Sequence, residues 1–460
     1  MGTYDKIKDY TLVKFASTAL MLLASISDEQ FIKITYLAEV IPQKGTYKEK
    51  IRWIRDLFRQ GHPGLQIARK VSKETNPLHR HKIIQNFIIN QLLVGTNKRK
   101  EFEARTGTYP PDTLLISPTM RCDLNCYGCY SAYYPRDNDL PLEVLDRVIT
   151  EAKEMGIYLI LLTGGEPFLR KEDLFSIFEK HSDVCFQIYT NARKIDQGVV
   201  DQLAALGNAI PSISLEGFEE QTDKRRGKGH FQNAVKVMDM LRKAGLLFAV
   251  STTQTRENTE VLGSDEFIDF LVDKGCILLW NFHYVPVGKT PNTELMSTPE
   301  QRDYMRQRFQ HFRATEPMLF VDFWNDGHLT NGCIAGGRKY LHITASGDVE
   351  PCVFCHFASD NIKEKSLLET LNSPLFKEIR SRHPLSDNPF RPCMLIDEPA
   401  QGRDIALNHA ARFTHPDAEV LFTELADKMD EYARQFRPLA DAAWEQFQLT
   451  KSKKGKAAAG

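Results

Sequence analysis

From residue 113 the sequence alternates between short apolar runs and amphipathic helical segments, and this alternation limits the folds open to the chain. Continuously apolar strands are buried on both faces, which is typical of parallel strands covered by crossover helices. Right-handed crossovers curl such a sheet towards a barrel, and six units fall short of the eight of a closed barrel. The predicted strands are Leu114–Ser117, Tyr158–Leu162, Cys185–Thr190, Ile210–Leu215, Phe248–Thr253 and Ile277–Tyr284. The predicted helices are near Pro141–Met155, Glu172–Lys180, Asp196–Leu206, Phe231–Ala244, Ser264–Lys274 and Pro299–Thr315.

The predicted fold class is therefore α/β, with a partial (β/α)6 TIM-like barrel at its centre. A chain of 460 residues is too long for one ordinary core. We expect an N-terminal helical domain over 1–110, the barrel over 111–317 and a cysteine-rich α+β extension over 318–398. C-terminal helices follow over 399–450, and 451–460 is predicted to be a disordered tail. The 59 basic and 60 acidic residues nearly cancel, so no charge imbalance points to nucleic acid.

The first 110 residues predict helices without strands. The simplest interpretation is a helical cap on the barrel, and the alternative is a surface for a hydrophobic substrate or for peripheral membrane contact. The run Phe15–Ser27 has about 13 uncharged residues, whereas a membrane-spanning helix needs roughly 20, so no transmembrane segment is predicted. The apolar helical stretches are Thr11–Ala24, Phe31–Ile41, Ile51–Phe58 and His81–Val94, the last expected to end at Gly95.

Three cysteines follow the first predicted strand at C-x3-C-x2-C spacing, namely Cys122, Cys126 and Cys129. Three thiolates can hold one metal centre, but a structural zinc site closes with four ligands. Most 4Fe–4S clusters also take four cysteines. The triplet therefore suggests a cluster with one iron left open for a ligand that is not protein. The alternative is a zinc knuckle whose fourth ligand lies elsewhere in the chain.

Polar clusters follow the next three predicted strands. The segment Thr163–Pro167 (TGGEP) follows the second strand, Tyr189–Asn191 the third, and Ser212–Gly217 the fourth, with Asp223–Gly227 further on. Chemistry in barrels of parallel strands lies at the carboxyl ends of the strands. Paired glycines allow the backbone to approach a ligand closely, and the carboxylate of Glu166 suits an ammonium group. Together with the cysteines, these clusters predict one ligand site.

The cysteine triplet after a first strand, with GGEP after a second, resembles the radical S-adenosylmethionine (SAM) superfamily over about residues 113–315. The resemblance implies a 4Fe–4S cluster on Cys122, Cys126 and Cys129, whose open iron is chelated by SAM. An electron from the cluster splits SAM into methionine and a 5′-deoxyadenosyl radical, which abstracts hydrogen from a substrate. The resemblance also implies an electron donor such as flavodoxin or ferredoxin.

The resemblance assigns further SAM contacts by position. Ser214 and Glu216 resemble the residues that meet the ribose or the carboxylate, and Arg226 resembles the arginine that pairs with the SAM carboxylate. The segment that resembles the holder of the methionyl amine consists of Gly164, Gly165 and Glu166.

The aromatic position of the cysteine motif departs from the family. Members of the family usually have an aromatic residue immediately before the third cysteine, where this chain has Gly128. The adenine contact is therefore expected from a neighbour, Tyr127 or Tyr130.

A second cysteine group consists of Cys333, Cys352, Cys355 and Cys393. A predicted β-hairpin, Leu341–Thr344 with Val349–Cys352, carries Gly347 in its turn. The pattern resembles the extension called SPASM or twitch, which carries auxiliary clusters. A full SPASM extension has seven cysteines, and four here imply one auxiliary 4Fe–4S cluster with all sites filled. Two alternatives stay open: one cysteine is a bystander, or the four hold zinc.

Two carboxylates between the barrel and the second cysteine group, Asp322 and Asp326, are candidates for taking a proton from a substrate radical. The alternative is a turn with an Asp-Gly signature. The substrate class is left open between a peptide or protein, a small cofactor precursor and a lipid. A non-enzymatic iron–sulfur or zinc scaffold is the alternative to an enzyme. The clustered cysteines and the lack of a signal peptide predict a cytoplasmic protein.

Overall fold

The computed structural model describes residues 26–40, 45–288 and 290–457. The predicted helix Thr11–Ala24, nearly all of the run Phe15–Ser27 and the last three residues of the tail lie outside the described residues. Within the described part, no helix combines the length and the apolar character needed to cross a membrane.

A nine-stranded sheet forms the centre of the molecule. Its first seven strands, β1 to β7, are Leu114–Thr119, Leu159–Gly164, Cys185–Thr190, Ala209–Ser214, Ala249–Gln254, Leu278–His283 and Leu319–Asp322. The last two, β8 and β9, are His342–Ile343 and Val349–Glu350. The strands lie in the order β7-β6-β5-β4-β3-β2-β1-β8-β9. Strands β1 to β7 are parallel, β8 runs parallel to β1, and β9 returns antiparallel to β8. A separate pair, β10 (Phe357–Ala358) and β11 (Arg412–Phe413), is antiparallel.

This sheet confirms the predicted α/β class and partial barrel. All six predicted strands are present, and every residue of β1 is buried, as expected for a strand covered on both faces. Two features of the sheet were not predicted from the sequence: the strand β7, and the pairing of the hairpin β8–β9 of the cysteine-rich extension with β1. The helices around the strands are Leu142–Glu154, Lys171–Lys180, Gln197–Leu206, Glu219–Arg226, His230–Lys243, Thr259–Leu262, Asp265–Lys274 and Pro299–Thr315.

The N-terminal helices cover the amino-terminal ends of the strands. Ile83 is buried against Cys185 and Leu247, which lie at the start of β3 and just before β5. The His79 ring bridges the carbonyl of Gly207 at 2.8 Å and the amide of Leu247 at 3.1 Å. These contacts form the predicted cap on the barrel. The helices of this region are Asp28–Val40, Gly45–Arg59, Gly64–Glu74, Pro77–Ile83, a π-helix Ile84–Val94 and Gly95–Thr106.

Gly95 does not end a helix, contrary to the prediction. The helical chain continues to Thr106, and Gly107, with φ of 74°, forms the left-handed cap. A Cβ atom on Gly95 would lie 2.4 Å from the carbonyl oxygen of Gly156. Gly95 is therefore required by close packing against the barrel rather than by a turn.

The first two helices expose four large apolar side chains: Tyr36, Leu37, Trp53 and Ile54. This exposure keeps open the alternative of a surface for a hydrophobic partner, because contiguous exposed apolar groups often mark interaction sites.

The C-terminal region differs from its prediction in two places. The sequence of Ser366–Arg382 predicts a single helix, whereas the structure has two, Leu367–Leu371 and Pro374–Ser381, because Pro374 starts a new one. The sequence also predicts two helices, Pro416–Gln435 and Leu439–Leu449, whereas the structure has one, Ala426–Ala457, which runs into the segment predicted to be disordered. The lysines of this stretch have a high helix propensity. A further helix, Pro399–Asn408, and short helical turns at Pro167–Arg170, Thr293–Leu295, Gly327–Thr330 and Ala418–Phe422 complete the described elements.

Candidate active site

A cavity of about 720 Å³ opens inside the barrel and borders both cysteine groups. It extends from Thr113, before β1, to the cysteine loop beyond the end of that strand. The cysteines on its wall are Cys122, Cys126, Cys129, Cys333, Cys352, Cys355 and Cys393. The structure therefore places the two predicted sites in one cavity, which the sequence spacing could not show.

The paired glycines after β2 hold the start of the cysteine loop. The amide of Gly165 donates to the carbonyl of Thr119 at 3.0 Å, and the amide of Glu166 donates to that of Arg121 at 2.8 Å. A Cβ on Gly164 would lie 2.2 Å from the Thr119 oxygen, and one on Gly165 would lie 2.1 Å from the Arg121 oxygen. Both glycines line the cavity. Because glycine has no side chain, β2 can approach the backbone of the cysteine loop at these two positions. The sequence had instead suggested that the two glycines make room for a ligand.

Glu166 is fully buried and does not line the cavity. Its carboxylate accepts hydrogen bonds from the amides of Phe168 and Asn191 and from the Thr190 hydroxyl. Burial raises the pKa of this carboxyl to about 7, and the three hydrogen bonds act in the opposite direction. Asn191 donates to the Asp123 carboxylate at 2.8 Å and lies 3.8 Å from the Cys122 sulfur. Glu166 thus orients the turn that supports the cysteine loop.

Glu216 also lies off the cavity wall, where it anchors two arginines. One of its oxygens accepts from Arg225 at 2.6 Å and from Arg226 at 2.8 and 2.5 Å. Arg225 also donates to the carbonyls of Tyr127 and Gly128, so each of its three side-chain nitrogens makes a hydrogen bond. Arg226 lines the cavity, and its Nη1 atom has no hydrogen-bond partner among the described residues. Ser214, at the end of β4, lines the cavity as well.

Tyr284 occupies the space beside Gly128. A Cβ on Gly128, whose φ is 62°, would lie 2.7 Å from the Tyr284 ring. Tyr284 and Tyr130 line the cavity, whereas Tyr127 points to Glu257 at 3.1 Å and does not. By its place at the end of a predicted strand, the segment Asn281–Gly288 (NFHYVPVG) suits an adenine contact or the substrate wall, and Tyr284 is the residue of this segment that lies beside Gly128. Glycine in the cysteine motif is thus matched by an aromatic residue, Tyr284, that directly follows β6.

Two of the three thiols, Cys122 and Cys126, lie in an environment that opposes ionisation without a bound cation. Burial raises the pKa of Cys122 to about 12. Burial also raises the pKa of Cys126, while Arg226 and Arg225 act in the opposite direction. Metal binding favours the thiolate form and releases the proton. The donor set therefore fits a cationic cluster, with two arginines that reduce the local negative charge.

The second cysteine group is built on the hairpin β8–β9. Cys352 follows β9, and its sulfur accepts a hydrogen bond from the Tyr340 hydroxyl at 2.7 Å. Burial raises the pKa of Cys333 to about 11 and also that of Cys355 and Cys393. Burial opposes ionisation of Cys352 too, but hydrogen bonds from Cys355 and Tyr340 lower its pKa. All four cysteines of this group line the same cavity.

A buried polar chain fastens this hairpin to β1. The Ser117 hydroxyl lies 2.7 Å from His342 Nε2, and His342 Nδ1 lies 2.6 Å from the Glu350 carboxylate. The hydroxyls of Tyr134 and Thr414 donate to the other Glu350 oxygen. Although the first three residues resemble a hydrolase triad, each is completely buried and none lines the cavity. Their arrangement serves to join the extension to the barrel.

A buried ion pair holds the segment of the fourth auxiliary cysteine. Arg302, on the helix after β6, pairs with Asp397, and both side chains are completely buried. Asp397 in turn accepts a hydrogen bond from the Cys393 amide at 2.9 Å. The barrel and the auxiliary group are therefore linked through charges that have no access to water.

We expect Arg302→Met to lower the free energy of unfolding by about 3–5 kcal/mol, because it leaves the Asp397 charge buried and unpaired. The control is Lys180→Met, which removes a largely exposed partner of Asp146 and should cost at most about 1 kcal/mol. Urea unfolding followed by circular dichroism measures both. Equal effects of the two substitutions would contradict the role given to the buried pair.

Asp322 and Asp326 do not line the cavity, so the structure does not bring these predicted proton acceptors to it. Asp322 accepts from Asn325, and its carboxylate lies 3.3 Å from His283. Burial opposes ionisation of Asp322, but His283 and Asn325 lower its pKa overall. Asp326 accepts from the Asp322 amide and pairs with Arg313. Through these contacts both carboxylates hold the turn that follows β7.

Six uncharged side chains form a surface that we call the apolar wall. Its rings pack closely, with ring centroids 5.4 Å apart for Trp280 and Phe323 and 5.3 Å apart for Phe282 and Phe323. Tyr130 and Trp324 both contact Phe354, which lies between Cys352 and Cys355. The apolar wall consists of Leu115, Leu161, Tyr189, Trp280, Phe282 and Phe323.

Comparison with known proteins identifies the family. Residues 116–260 match the family model of the radical SAM superfamily, and residues 333–394 match SPASM, described as an iron–sulfur cluster-binding domain. The mycofactocin maturase MftC of Mycolicibacterium smegmatis is 30% identical over 295 residues, which cover 60% of this chain and 74% of that protein. The AdoMet-dependent heme synthase of Methanosarcina barkeri is 24% identical over 303 residues, covering 59% and 86%.

The fold also matches solved structures. SuiB of Streptococcus suis bound to S-adenosylmethionine superposes with a TM-score of 0.54 at 21% identity, covering 65% of this chain and 76% of that one. The chain belongs to the radical SAM superfamily, whose members are enzymes. Within that superfamily it is of the type that carries a SPASM domain.

Membership of this family establishes which cofactors the chain binds. The radical SAM domain binds a 4Fe–4S cluster and SAM, and the SPASM domain binds auxiliary iron–sulfur clusters. In the described part of the chain, no group of three or more His, Cys, Asp and Glu side chains is arranged to hold a single metal ion.

Proposed function

We propose that this chain cleaves SAM reductively and uses the resulting radical to abstract hydrogen from a substrate held in the same cavity. Cys122, Cys126 and Cys129 would hold the cluster, which supplies the electron for cleavage when it is bound. The observation that carries the proposal is that both cysteine groups border one cavity large enough for a small ligand. The chain contributes binding, orientation and exclusion of water around the radical chemistry.

The SAM pocket would lie between the cysteine loop and the ends of β4 and β6. We assign the SAM carboxylate to Arg226, whose Nη1 atom is directed to no described residue. Ser214 would meet the ribose, and Tyr284, with Tyr130 nearby, would supply the aromatic contact to adenine. Glu166 and Glu216 would act from behind the wall, the first on the cysteine loop and the second on the two arginines.

The four cysteines of the extension would hold one auxiliary 4Fe–4S cluster. Their thiols converge on the same cavity, and the Tyr340 hydroxyl already contacts the Cys352 sulfur. An electron donor such as a flavodoxin or ferredoxin would reduce the protein. Thiols clustered for metal binding rather than paired in disulfides favour a reducing compartment, so we expect the enzyme to act in the cytoplasm.

The substrate is a separate question. One solved structure of SuiB is described as bound to a precursor peptide, and the heme synthase is named for a tetrapyrrole product. The proposed SAM chemistry is compatible with either class and with a lipid.

Anaerobic reconstitution and product analysis test the proposed function. We expect about eight irons per chain, four for each cluster. With dithionite and SAM, 5′-deoxyadenosine should accumulate, as measured by chromatography and mass spectrometry. A content of about four irons per chain would contradict the proposed auxiliary cluster. Zinc without iron would favour the alternative of a non-enzymatic scaffold. An iron-loaded protein that releases no 5′-deoxyadenosine would contradict the enzyme proposal.

We expect Arg226→Gln to weaken SAM binding by about tenfold or more, because a charge-assisted hydrogen bond contributes about 1.5–3 kcal/mol. The iron content should not change, since Arg225 and not Arg226 contacts the cysteine loop. Equilibrium dialysis with radiolabelled SAM measures the affinity. Unchanged affinity at full iron content would show that the SAM carboxylate binds elsewhere.

A further inference from the structure

The apolar wall covers the part of the cavity that adjoins both cysteine groups. Leu115 and Leu161 project inward from β1 and β2 and pack with Val353, next to Cys352. Trp280 and Phe282 project inward from β6, two residues apart on the same face of the strand. A substrate group between the two clusters would therefore meet aliphatic and aromatic surface.

The charged side chains that line the cavity already have partners. Asp112 pairs with Lys339 at 3.0 Å, and Arg338 donates to the carbonyls of Cys333 and Thr330. Arg225 and Arg226 are held by Glu216, and we have assigned the remaining donor of Arg226 to SAM. A substrate that brings several carboxylates into this space would find no unpaired cation on the described lining. Burying such charges without partners is strongly unfavourable.

Hydrogen-bonding groups on the apolar wall are also few. Only the Tyr189 hydroxyl and the Trp280 Nε1 atom are polar groups of the wall itself, and the second is buried without a partner among the described residues. The hydroxyls of Ser251 and Thr253, the strand partners of Trp280 and Phe282, line the cavity beside the wall. The other four wall residues have no polar side-chain atoms. A peptide backbone laid along this wall would leave most of its N–H and C=O groups unpaired. A saturated chain has no such groups and gains from burial along its whole length.

We propose that the substrate group held at the apolar wall is the hydrocarbon chain of a lipid, either an acyl or an isoprenoid chain. This inference rests on the proposed function, because it identifies the C–H bonds that hydrogen abstraction would attack. In that step one hydrogen atom leaves carbon together with one bonding electron and appears in 5′-deoxyadenosine. The other bonding electron stays on the chain carbon.

Transfer of deuterium from a labelled hydrocarbon chain to 5′-deoxyadenosine tests the lipid proposal directly. The reconstituted enzyme is given dithionite, SAM and detergent micelles of chain-perdeuterated dipalmitoylphosphatidylglycerol, and in a second arm perdeuterated geranylgeraniol. Deuterium in 5′-deoxyadenosine from the first arm identifies an acyl chain, and from the second an isoprenoid chain. Unlabelled 5′-deoxyadenosine in both arms overturns the lipid proposal and leaves SAM cleavage intact.

Binding provides a measurement that does not depend on SAM cleavage. In equilibrium dialysis against tritiated hexadecanol, the iron-loaded enzyme should retain the probe. Phe282→Gln should weaken the binding of hexadecanol by about tenfold, because it removes one buried aromatic contact. Leu161→Gln is the second wall variant if Phe282→Gln loses iron. The control is Leu407→Gln, at an exposed position outside the cavity. Equal binding by the wall variants and the control overturns the proposal, even if no 5′-deoxyadenosine forms.

Discussion

Replacing Cys126 by alanine should abolish 5′-deoxyadenosine formation and remove about four of about eight irons. Cys126 is the middle ligand of the proposed SAM cluster, and two thiols cannot hold a cluster whose remaining site must stay open for SAM. The irons on the second cysteine group should persist, since its hairpin is fastened to β1 by Ser117, His342 and Glu350 rather than by the cysteine loop. Iron analysis and product chromatography measure the two effects.

The chain supplies matched controls for this substitution. Cys185 and Cys276 are buried cysteines outside both groups, and neither lines the cavity. Cys276→Ala should keep all irons and full 5′-deoxyadenosine formation. If Cys126→Ala kept its activity, or if Cys276→Ala lost as many irons, the assignment of the three-cysteine loop would be wrong.

Replacing Gly165 by alanine should displace the cysteine loop and reduce 5′-deoxyadenosine formation by about hundredfold or more, the effect expected for a misplacement of about 1 Å in an active site. The added Cβ would lie 2.1 Å from the Arg121 oxygen and 2.5 Å from its carbonyl carbon. Both atoms belong to the backbone of the cysteine loop, so no side-chain rotation can relieve the contact. Iron content, SAM affinity and product formation together report the displaced loop.

Gly198→Ala is the control for that substitution. Gly198 lies in the helix Gln197–Leu206, where the nearest atom to an added Cβ would be a side-chain oxygen of Asp196 at 3.3 Å. This variant should retain both clusters and full activity, because alanine favours the helix. If Gly165→Ala kept the same iron content and activity as Gly198→Ala, the close approach of β2 would not determine the position of the cysteine loop.

The six strands and the two cysteine groups could be predicted from the sequence because each depends on a local pattern. Apolar runs define buried strands, and the spacing of thiols within a loop defines a cluster. β7 was missed because it has only four residues, LFVD, which are too few to show the pattern of a buried strand. The attachment of β8 to β1 depends on contacts between residues more than two hundred positions apart, which no local pattern reports.

The candidate site was predicted less completely, because burial decides which side chains reach a cavity. Glu166 and Glu216 follow strands as expected, but both turn away from the cavity, where each serves as an acceptor for several donors. Asp322 is likewise buried away from the cavity, where it accepts from Asn325 and lies beside His283. Tyr284 could be connected with Gly128 only in three dimensions, since 156 positions separate them along the chain.

Anomalous diffraction at the iron edge, from crystals of the reconstituted enzyme, tests the central claim most directly. The account predicts two separate iron clusters on the wall of one cavity, one at Cys122, Cys126 and Cys129 and one at the second cysteine group. A single cluster, a zinc-edge signal at the second group, or two clusters in separate cavities would contradict it.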